Sequence, residues 1–114
     1  MSSHVLSDAQ YHSLATGTLA RIEAQVDEWL DAGLIDIDTH RTGGLLELTF
    51  PNASKIIINL QPPLHELWMA AKAGGFHFHW VDGQWRDTRG GEEFFACLSQ
   101  QAARQAGTPL AFLP

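Results

Sequence analysis

Acidic side chains are concentrated in one part of the chain, where they could bind a metal ion. Glu23, Asp27 and Asp31 are four residues apart, a spacing that places them on one face of a helix, and Asp36 and Asp38 follow soon after. Like charges at this helical spacing repel each other and destabilise the helix by roughly a few tenths of a kcal/mol per pair. A local excess of carboxylates that works against its own helix is therefore a candidate site.

The chemistry of such a site follows from its donor atoms. Carboxylate oxygens are hard ligands, which suit iron in either oxidation state, and also Mn²⁺, Ca²⁺ or a lanthanide, better than Cu(I) or zinc. The sequence has no pattern typical of an enclosed cage, such as a Glu-x-x-His pair on facing helices, so the site would be open and weak. A solvated helix face on an acidic protein is the alternative. The candidate ligands are Asp8, His12, Glu23, Asp27, Glu28, Asp31, Asp36 and Asp38.

Three further histidines are secondary metal candidates. His77 and His79 are two residues apart, so that on a strand both imidazoles could reach one ion, but no third ligand is identifiable nearby. His40 could add an imidazole to the acidic residues, as His12 could, although an exposed histidine is often only a solvated surface residue.

A tryptophan at a predicted sheet surface is the third kind of candidate. Trp68 alternates with Leu67 and Met69 and so points away from the apolar layer. A large exposed ring near Asn59 and Gln61 is typical of a protein-binding hot spot. The alternative is a half-buried tryptophan that packs beneath its neighbours, and the alternation alone does not decide between the two.

Catalysis has little support in the sequence. Ser54 and Ser99 have no evident His or Asp partners, and no glycine-rich phosphate loop or Walker-type lysine is present. The single cysteine, Cys97, lies in the apolar run of the last predicted helix, which favours an inert buried thiol. One cysteine also excludes an intrachain disulfide framework and does not supply the thiolates of an iron–sulfur cluster. We therefore predict that the chain is not an enzyme.

Composition limits the partners and the compartment. With 114 residues, 45% of them hydrophobic, we expect one globular domain over residues 1–114. Seven Lys and Arg against 13 Asp and Glu give a net charge of −6, which attracts cations and basic protein surfaces and repels nucleic acid. The chain starts without a presequence pattern and has no apolar stretch of membrane-spanning length. We expect a cytoplasmic, reducing compartment, no membrane or nucleic-acid partner, and a monomer.

A long helix is the first element that must position these residues. Ser7 and Gln10 fit a capping box, so the helix is expected to start near Asp8 and to stop at Gly33. The acidic residues lie off its apolar stripe. That stripe consists of Tyr11, Leu14, Ala15, Thr18, Leu19, Ile22, Val26 and Trp29.

The apolar period changes to two after Gly33, which predicts an antiparallel sheet covered on one face. Asp36 and Asp38 are then expected to share one face of the first strand, and Asp82-Gly83 is a two-residue hairpin signal. The last strand should end near Arg86. The alternating apolar residues that predict strands are Ile35 and Ile37; Leu46, Leu48 and Phe50; Ile56, Ile58 and Leu60; and Phe76, Phe78 and Trp80. A further strand is expected over 66–71.

A second helix follows the sheet. Gly90-Gly91 is expected to open it, Gly107 to cap it, and the apolar tail at 109–113 to pack against the helix pair. One helix, a run of strands and one helix predict an α+β fold: a two-layer sandwich with both helices on one face of the sheet.

The segment from Asn59 to Trp68 reads Asn-Leu-Gln-Pro-Pro-Leu-His-Glu-Leu-Trp and runs on to Gly74-Gly75-Phe-His-Phe. It resembles the signature of the frataxin family in its bacterial CyaY branch. The acidic first helix, the Asp36-Ile-Asp38 segment and the hairpin at Asp82-Gly83 fall in the family's order. Only the first few residues and the extreme tail lie outside the match.

The resemblance implies a frataxin-like fold and the function of an iron-binding accessory protein in iron–sulfur cluster assembly. Fe²⁺ or Fe³⁺ would bind weakly on the acidic ridge of the first helix and strand, where other hard cations can substitute. The same ridge would dock on a cysteine desulfurase. Asn59, Gln61 and Trp68 would meet the complex of the desulfurase with the iron–sulfur scaffold protein.

The chain also departs from the fullest acidic ridge of that branch. His40 and Pro51 stand where the run of acids usually continues, and Gln25 stands where Glu is common, so fewer or weaker metal sites are expected. Two other functions remain open: a ferroxidase that stores iron in oligomers, and an adaptor that binds proteins through its acidic field and takes up metal incidentally.

Overall fold

The computed structural model describes residues 6–114, in which a helix, six strands and a second helix follow one another. This order confirms the predicted α+β class. The bounds are α1 Asp8–Asp31, β1 Asp38–Thr42, β2 Leu45–Thr49, β3 Lys55–Gln61, β4 Glu66–Ala71, β5 Gly74–Val81, β6 Gln84–Asp87 and α2 Phe94–Ala106, with a 3₁₀ turn at Pro62–Leu64 between β3 and β4.

Helix α1 starts and ends where its sequence predicts. The hydroxyl of Ser7 accepts a hydrogen bond from the backbone N–H of Gln10, and the Gln10 side chain accepts one from the backbone of Ser7. This capping box satisfies donors that a helix start leaves without partners. The chain leaves the helix at Ala32, and Gly33 adopts a left-handed φ of 71°. The predicted apolar stripe is buried except for Leu14, which is partly buried.

The six strands form one antiparallel sheet in the order β1-β2-β3-β4-β5-β6, so each strand pairs with its sequence neighbours. Short turns join most of the strands. In the turn between β5 and β6, Asp82 and Gly83 both have positive φ, at 51° and 79°, the conformation that a tight two-residue hairpin requires. The predicted hairpin is confirmed.

Both helices cover one face of the sheet, as predicted, and a single core fills the space between the layers. Tyr11 and Thr18 of α1 contact Trp85 of β6, whose indole N–H donates to the Thr18 hydroxyl at 3.1 Å. Phe94 of α2 packs edge-on against Phe78 of β5. The opposite sheet face, which we call the outer face, carries no helix formed by residues 6–114.

The C-terminal tail packs on the helices, which confirms that prediction. Leu110 and Phe112 are buried, and the Phe112 ring lies 4.7 Å from that of Trp29. The hydroxyl of Ser99 accepts a hydrogen bond from the Phe112 backbone N–H at 2.8 Å. The tail therefore ties the end of α1 to α2.

The predicted first strand is wrong in its bounds, because β1 begins only at Asp38. Asp38 pairs with Thr49, the last residue of β2, so in the same register Asp36 would face Pro51. Proline has no N–H to donate and sits in a turn here, so the pairing cannot extend back. Ile37 is buried between exposed neighbours, as in a strand, although this segment does not pair with β2. Asp36 thus lies on the α1–β1 connection, not on one strand face with Asp38.

The predicted start of α2 is also corrected. Gly90 ends a turn over 88–90, Gly91 follows it, and the helix begins only at Phe94 with Glu93 as its N-cap. The Glu93 carboxylate accepts hydrogen bonds from the backbone N–H groups of Phe95 and Ala96. A carboxylate at this position both caps the helix and complements its dipole. Within residues 6–114, none of the helices has the length and apolar character to cross a membrane.

Candidate functional site

Five exposed carboxylates lie around the end of α1 and the start of β1. Asp27, Glu28 and Asp31 occupy the last turns of α1, Asp36 lies on the connection, and Asp38 opens β1, the edge strand of the sheet. We call these five residues the acidic edge. Among the described residues, 6–114, none of them takes part in an ion pair.

Helix geometry makes the acidic edge electrostatically unfavourable. Asp31 follows Asp27 by four residues and Glu28 by three, so the carboxylates are neighbours on the helix surface. They also lie at the C-terminal end of α1, where the helix dipole is negative, and the last turn contains no basic residue. A cation bound here would relieve both repulsions.

Glu23 was predicted as a ligand but has a partner of its own. Its carboxylate accepts a hydrogen bond from the guanidinium of Arg41 at 2.7 Å, in an ion pair that joins α1 to β1. Arg41 reaches α1 because it shares its sheet face with Leu46, toward the helices. This pair was missed because Arg41 is 18 residues away in sequence.

Asp8 and His12 are remote from the acidic edge. They belong to the first turns of the 24-residue helix, and at 1.5 Å per residue they lie roughly 20 to 30 Å along its axis from Asp27. The Asp8 carboxylate contacts Nε2 of His65 at 2.7 Å, and the His65 ring stacks on Tyr11 at 4.8 Å. The predicted ligand set is therefore divided between the two ends of α1.

The residues of the acidic edge could hold a hard cation only in an open arrangement. Across the described part of the chain, no group of three or more His, Cys, Asp or Glu side chains converges tightly enough to hold one ion. His40 lies on the same face of β1 as Asp38, opposite Glu47. Exposed carboxylates on neighbouring turns can share a hydrated cation without forming a cage. That these residues bind a metal ion stays a prediction.

Trp68 lies on the outer face, but its ring is half-buried instead of exposed. It stacks on the imidazole of His77 on β5, with ring centroids 4.1 Å apart and an interplanar angle of 5°. Its indole N–H donates to the carboxylate of Glu66 at 2.9 Å. Because the ring is held on both its face and its edge, its position is fixed before any partner arrives.

The pairing register surrounds Trp68 with polar side chains. Asn59 lies opposite Trp68, and Gln61 lies opposite Glu66. We call Asn59, Gln61, Glu66, Trp68 and His77 the Trp68 platform. Glu66 and His77 were not predicted as its supports. The strand register would have identified them, since a turn at Lys72 and Ala73 brings His77 across from Trp68.

The two strand histidines do different things. His77 is engaged by the stack on Trp68, and His79 is exposed between Glu66 and Arg86 on the flanking strands. A site using both imidazoles would have to break that stack. Binding of one metal ion by both imidazoles would therefore compete with the stacking of His77 on Trp68.

The only cysteine is buried, as expected. Burial, with a smaller contribution from the nearby Glu92, raises the pKa of the Cys97 thiol to about 12. A thiol that stays protonated at neutral pH is a poor nucleophile and a poor metal ligand.

Comparison with known proteins gives a match over most of the chain. A family model described as a frataxin-like domain matches residues 4–108. A protein of Burkholderia mallei (strain SAVP1), named Iron-sulfur cluster assembly protein CyaY, is 57% identical over 107 residues, which are 94% of this chain and 98% of the relative.

Two solved structures extend the likeness to the fold. Frataxin from Psychromonas ingrahamii superposes with a TM-score of 0.85 at 34% identity, over 96% of this chain and 100% of that one. Trimeric frataxin from the yeast Saccharomyces cerevisiae, complexed with ferrous iron, gives a TM-score of 0.60 at 18% identity, over 95% and 92% of the two chains. The second likeness is one of fold alone.

Proposed function

The chain belongs to the frataxin family, and from this membership we propose that it is an iron-binding accessory protein of iron–sulfur cluster assembly. The family is not an enzymatic one, which agrees with the prediction that the chain is not an enzyme and argues against the ferroxidase alternative. The name of the Burkholderia relative supports the assembly role, and the ferrous complex of the yeast protein supports iron as the metal.

The acidic edge is our proposed iron site. The single observation that carries this proposal is a group of exposed carboxylates without ion-pair partners in residues 6–114, at the negative end of α1. Hard oxygen donors suit Fe²⁺ and Fe³⁺, and the absence of a closed donor set within those residues supports weak, exchangeable binding. Weak binding suits a protein that passes iron on or senses it.

The other predicted ligands contribute less to the proposed iron site or lie outside it. Glu23 contributes less than the acidic edge, because the Arg41 guanidinium already neutralises it. Asp8 and His12 form no part of this site, because α1 holds them at its other end. Among residues 6–114, His40 is the histidine adjacent to the acidic edge and is the candidate for an added imidazole ligand.

Protein docking is the second part of the proposal. The acidic edge would contact a basic surface of the cysteine desulfurase, and the Trp68 platform would meet the desulfurase together with the scaffold protein. A rigid aromatic ring in a polar surround, as found at Trp68, is typical of an interface anchor. The open charges of the acidic edge suit long-range attraction of a basic partner.

Iron and the desulfurase would then compete for one surface. Bound metal lowers the negative charge that the acidic edge offers to the partner, so iron could tune docking and with it the rate of sulfur delivery. A metal-independent adaptor with the same acidic field would have an affinity for its partner that does not change across an iron titration.

An anaerobic NMR titration with Fe²⁺ tests the iron site directly. We expect paramagnetic broadening of backbone signals centred on residues 27–38, with the signals of Asp8, His12 and the Trp68 platform preserved. Broadening centred on His77 and His79, with the signals of 27–38 intact, would refute the assignment. Titration with a diamagnetic hard cation such as Ca²⁺ or Mg²⁺ provides the control for general charge screening.

A further inference from the structure

The backbone where β4 begins has a conformation that side chains rarely adopt. His65, which follows the 3₁₀ turn at Pro62–Leu64, has a φ of 51° and a ψ of 44°, in the left-handed region. A residue with a Cβ is strained there unless its surroundings hold it, whereas glycine adopts this region freely. The contacts of His65 are therefore expected to offset a conformational cost.

Two residues at the start of α1 provide these contacts. The Asp8 carboxylate lies 2.7 Å from Nε2 of His65, and the His65 ring stacks on that of Tyr11 with 4.8 Å between the centroids and 12° between the planes. Tyr11 is buried and packs edge-on against Trp85, so it is a firm support. We call Asp8, Tyr11 and His65 the α1–β4 clasp.

The α1–β4 clasp extends to the residue that orients Trp68. The Tyr11 hydroxyl donates a hydrogen bond to the backbone carbonyl of Glu66 at 2.7 Å, from the side of the sheet that the helices cover. The carboxylate of Glu66 accepts the indole N–H of Trp68 at 2.9 Å on the outer face. Glu66 is thus held through its backbone by α1 and holds the Trp68 ring through its side chain.

We propose that His65 is a positioning residue for the Trp68 platform, because its contacts with Asp8 and Tyr11 fix the backbone at the start of β4. The inference rests on the docking role proposed above for that platform. A ring whose supports are already ordered loses less conformational freedom when a partner covers it. Releasing His65 should therefore weaken docking, although every side chain of the Trp68 platform is still present.

A purely structural role is the alternative, and a second left-handed residue separates the two. Ala53, in the turn between β2 and β3, has a φ of 72°. That turn is held by α2, where the Gln105 amide donates to the Ser54 hydroxyl at 3.1 Å and its carbonyl oxygen accepts from the Lys72 backbone N–H at 2.9 Å. Ala53→Gly therefore relieves the same kind of strain at the other end of β3 from His65.

The first measurement is made on the free protein. His65→Gly keeps the left-handed conformation accessible and removes the ring, so its melting temperature should stay near that of the parent chain. In ¹⁵N relaxation and hydrogen-exchange experiments, we expect a lower order parameter and several-fold faster exchange for the indole N–H of Trp68. Ala53→Gly should change neither quantity. An unchanged Trp68 indole in His65→Gly would overturn the proposal, because the ring would then be oriented without His65.

Tyr11→Phe tests the next contact in the same series. It keeps the ring that stacks on His65 and removes the hydroxyl that bonds to Glu66. The order parameter of the Trp68 indole N–H should fall here too, since the backbone of Glu66 loses its bond to α1. A Trp68 indole as ordered as in the parent chain would overturn the route through Glu66 on which the proposal depends.

Binding to the desulfurase–scaffold complex is the final measurement. His65→Gly should weaken this binding several-fold, less than Trp68→Ala does, while Fe²⁺ affinity stays that of the parent chain and Ala53→Gly binds the complex normally. Equal weakening in His65→Gly and Ala53→Gly would overturn the proposal. If Trp68→Ala itself leaves complex affinity unchanged, the docking role fails, and the indole of the free protein still decides whether His65 positions the ring.

Discussion

The acidic edge and the Trp68 platform differ in how their side chains are held. The carboxylates of the acidic edge are exposed and have no ion-pair partner among residues 6–114. The Trp68 ring, in contrast, is stacked on His77 and hydrogen-bonded to Glu66. The acidic edge offers exposed charge, and the Trp68 platform offers a ring held in a fixed orientation.

This difference indicates what each surface can recognise. Unpaired carboxylates attract any hard cation or basic surface, with low geometric selectivity and a strong dependence on salt. A ring whose orientation is already fixed loses little entropy when a partner covers it, and so favours one complementary surface. We therefore propose that iron binding and electrostatic attraction belong to the acidic edge, and specific protein contact to the Trp68 platform.

Removing the charge of the acidic edge should have the largest effect. The quadruple variant Asp27→Asn, Glu28→Gln, Asp36→Asn, Asp38→Asn should lower Fe²⁺ affinity by about a hundredfold, because each lost charge removes Coulomb attraction to a divalent ion. Desulfurase binding should weaken in parallel. Folding should survive or improve, because the repulsion at the end of α1 is relieved. Anaerobic calorimetry and thermal unfolding measure the affinities and the stability.

The matched control for that variant removes as much charge from other parts of the surface: Asp8→Asn, Asp82→Asn, Asp87→Asn and Glu92→Gln. This control should keep most of its iron affinity. If both quadruple variants lose affinity equally, the net charge of the protein and not the acidic edge is responsible, and the comparison fails.

Trp68→Ala should have the next largest effect, confined to protein binding. Loss of an aromatic anchor should weaken binding to the desulfurase–scaffold complex by roughly thirtyfold, which corresponds to about 2 kcal/mol. Iron affinity should remain that of the parent chain. Surface plasmon resonance on the assembled complex, with calorimetry for iron, gives both numbers.

His77→Ala refines that test, because it removes the stacking support and keeps the indole. It should weaken complex formation less than Trp68→Ala, since the ring remains but must be ordered on binding. A loss of iron affinity in Trp68→Ala as large as the loss of complex affinity would contradict the separation of the two surfaces.

Arg41→Gln should have the smallest effect, and it should raise iron affinity and not lower it. It releases Glu23 from its 2.7 Å ion pair and deletes a cation beside the acidic edge, so Fe²⁺ affinity should rise a few-fold. The double variant Arg41→Gln, Glu23→Gln serves as the control and should return affinity toward that of the parent chain. An unchanged affinity in Arg41→Gln would mean that Glu23 lies outside the reach of the metal.

Local sequence signals predicted most of the fold. The capping box at Ser7 and Gln10, the Asp82-Gly83 turn and the alternation in β2 through β5 each depend on neighbouring residues, and each is confirmed. The first strand was misplaced because alternation reports burial, whereas a strand also needs a partner. Its partner ends at Thr49, just before Pro51.

The candidate sites were less predictable, because they depend on contacts between distant residues. The end-to-end separation of Asp8 and Asp27 follows from helix length alone and was available from the sequence. The Glu23–Arg41 pair and the stack of Trp68 on His77 require the strand register.

The Gln105 side chain has a consequence for how the molecule opens. Because its amide bonds to Lys72 in one turn and to Ser54 in another, the last turn of α2 cannot fray without releasing both hairpin ends. The N–H of Lys72 should exchange with solvent deuterium at the rate of the helix that guards it and not at the rate of an exposed loop. A single glutamine thus merges the end of α2 and two turns into one cooperative unit of unfolding.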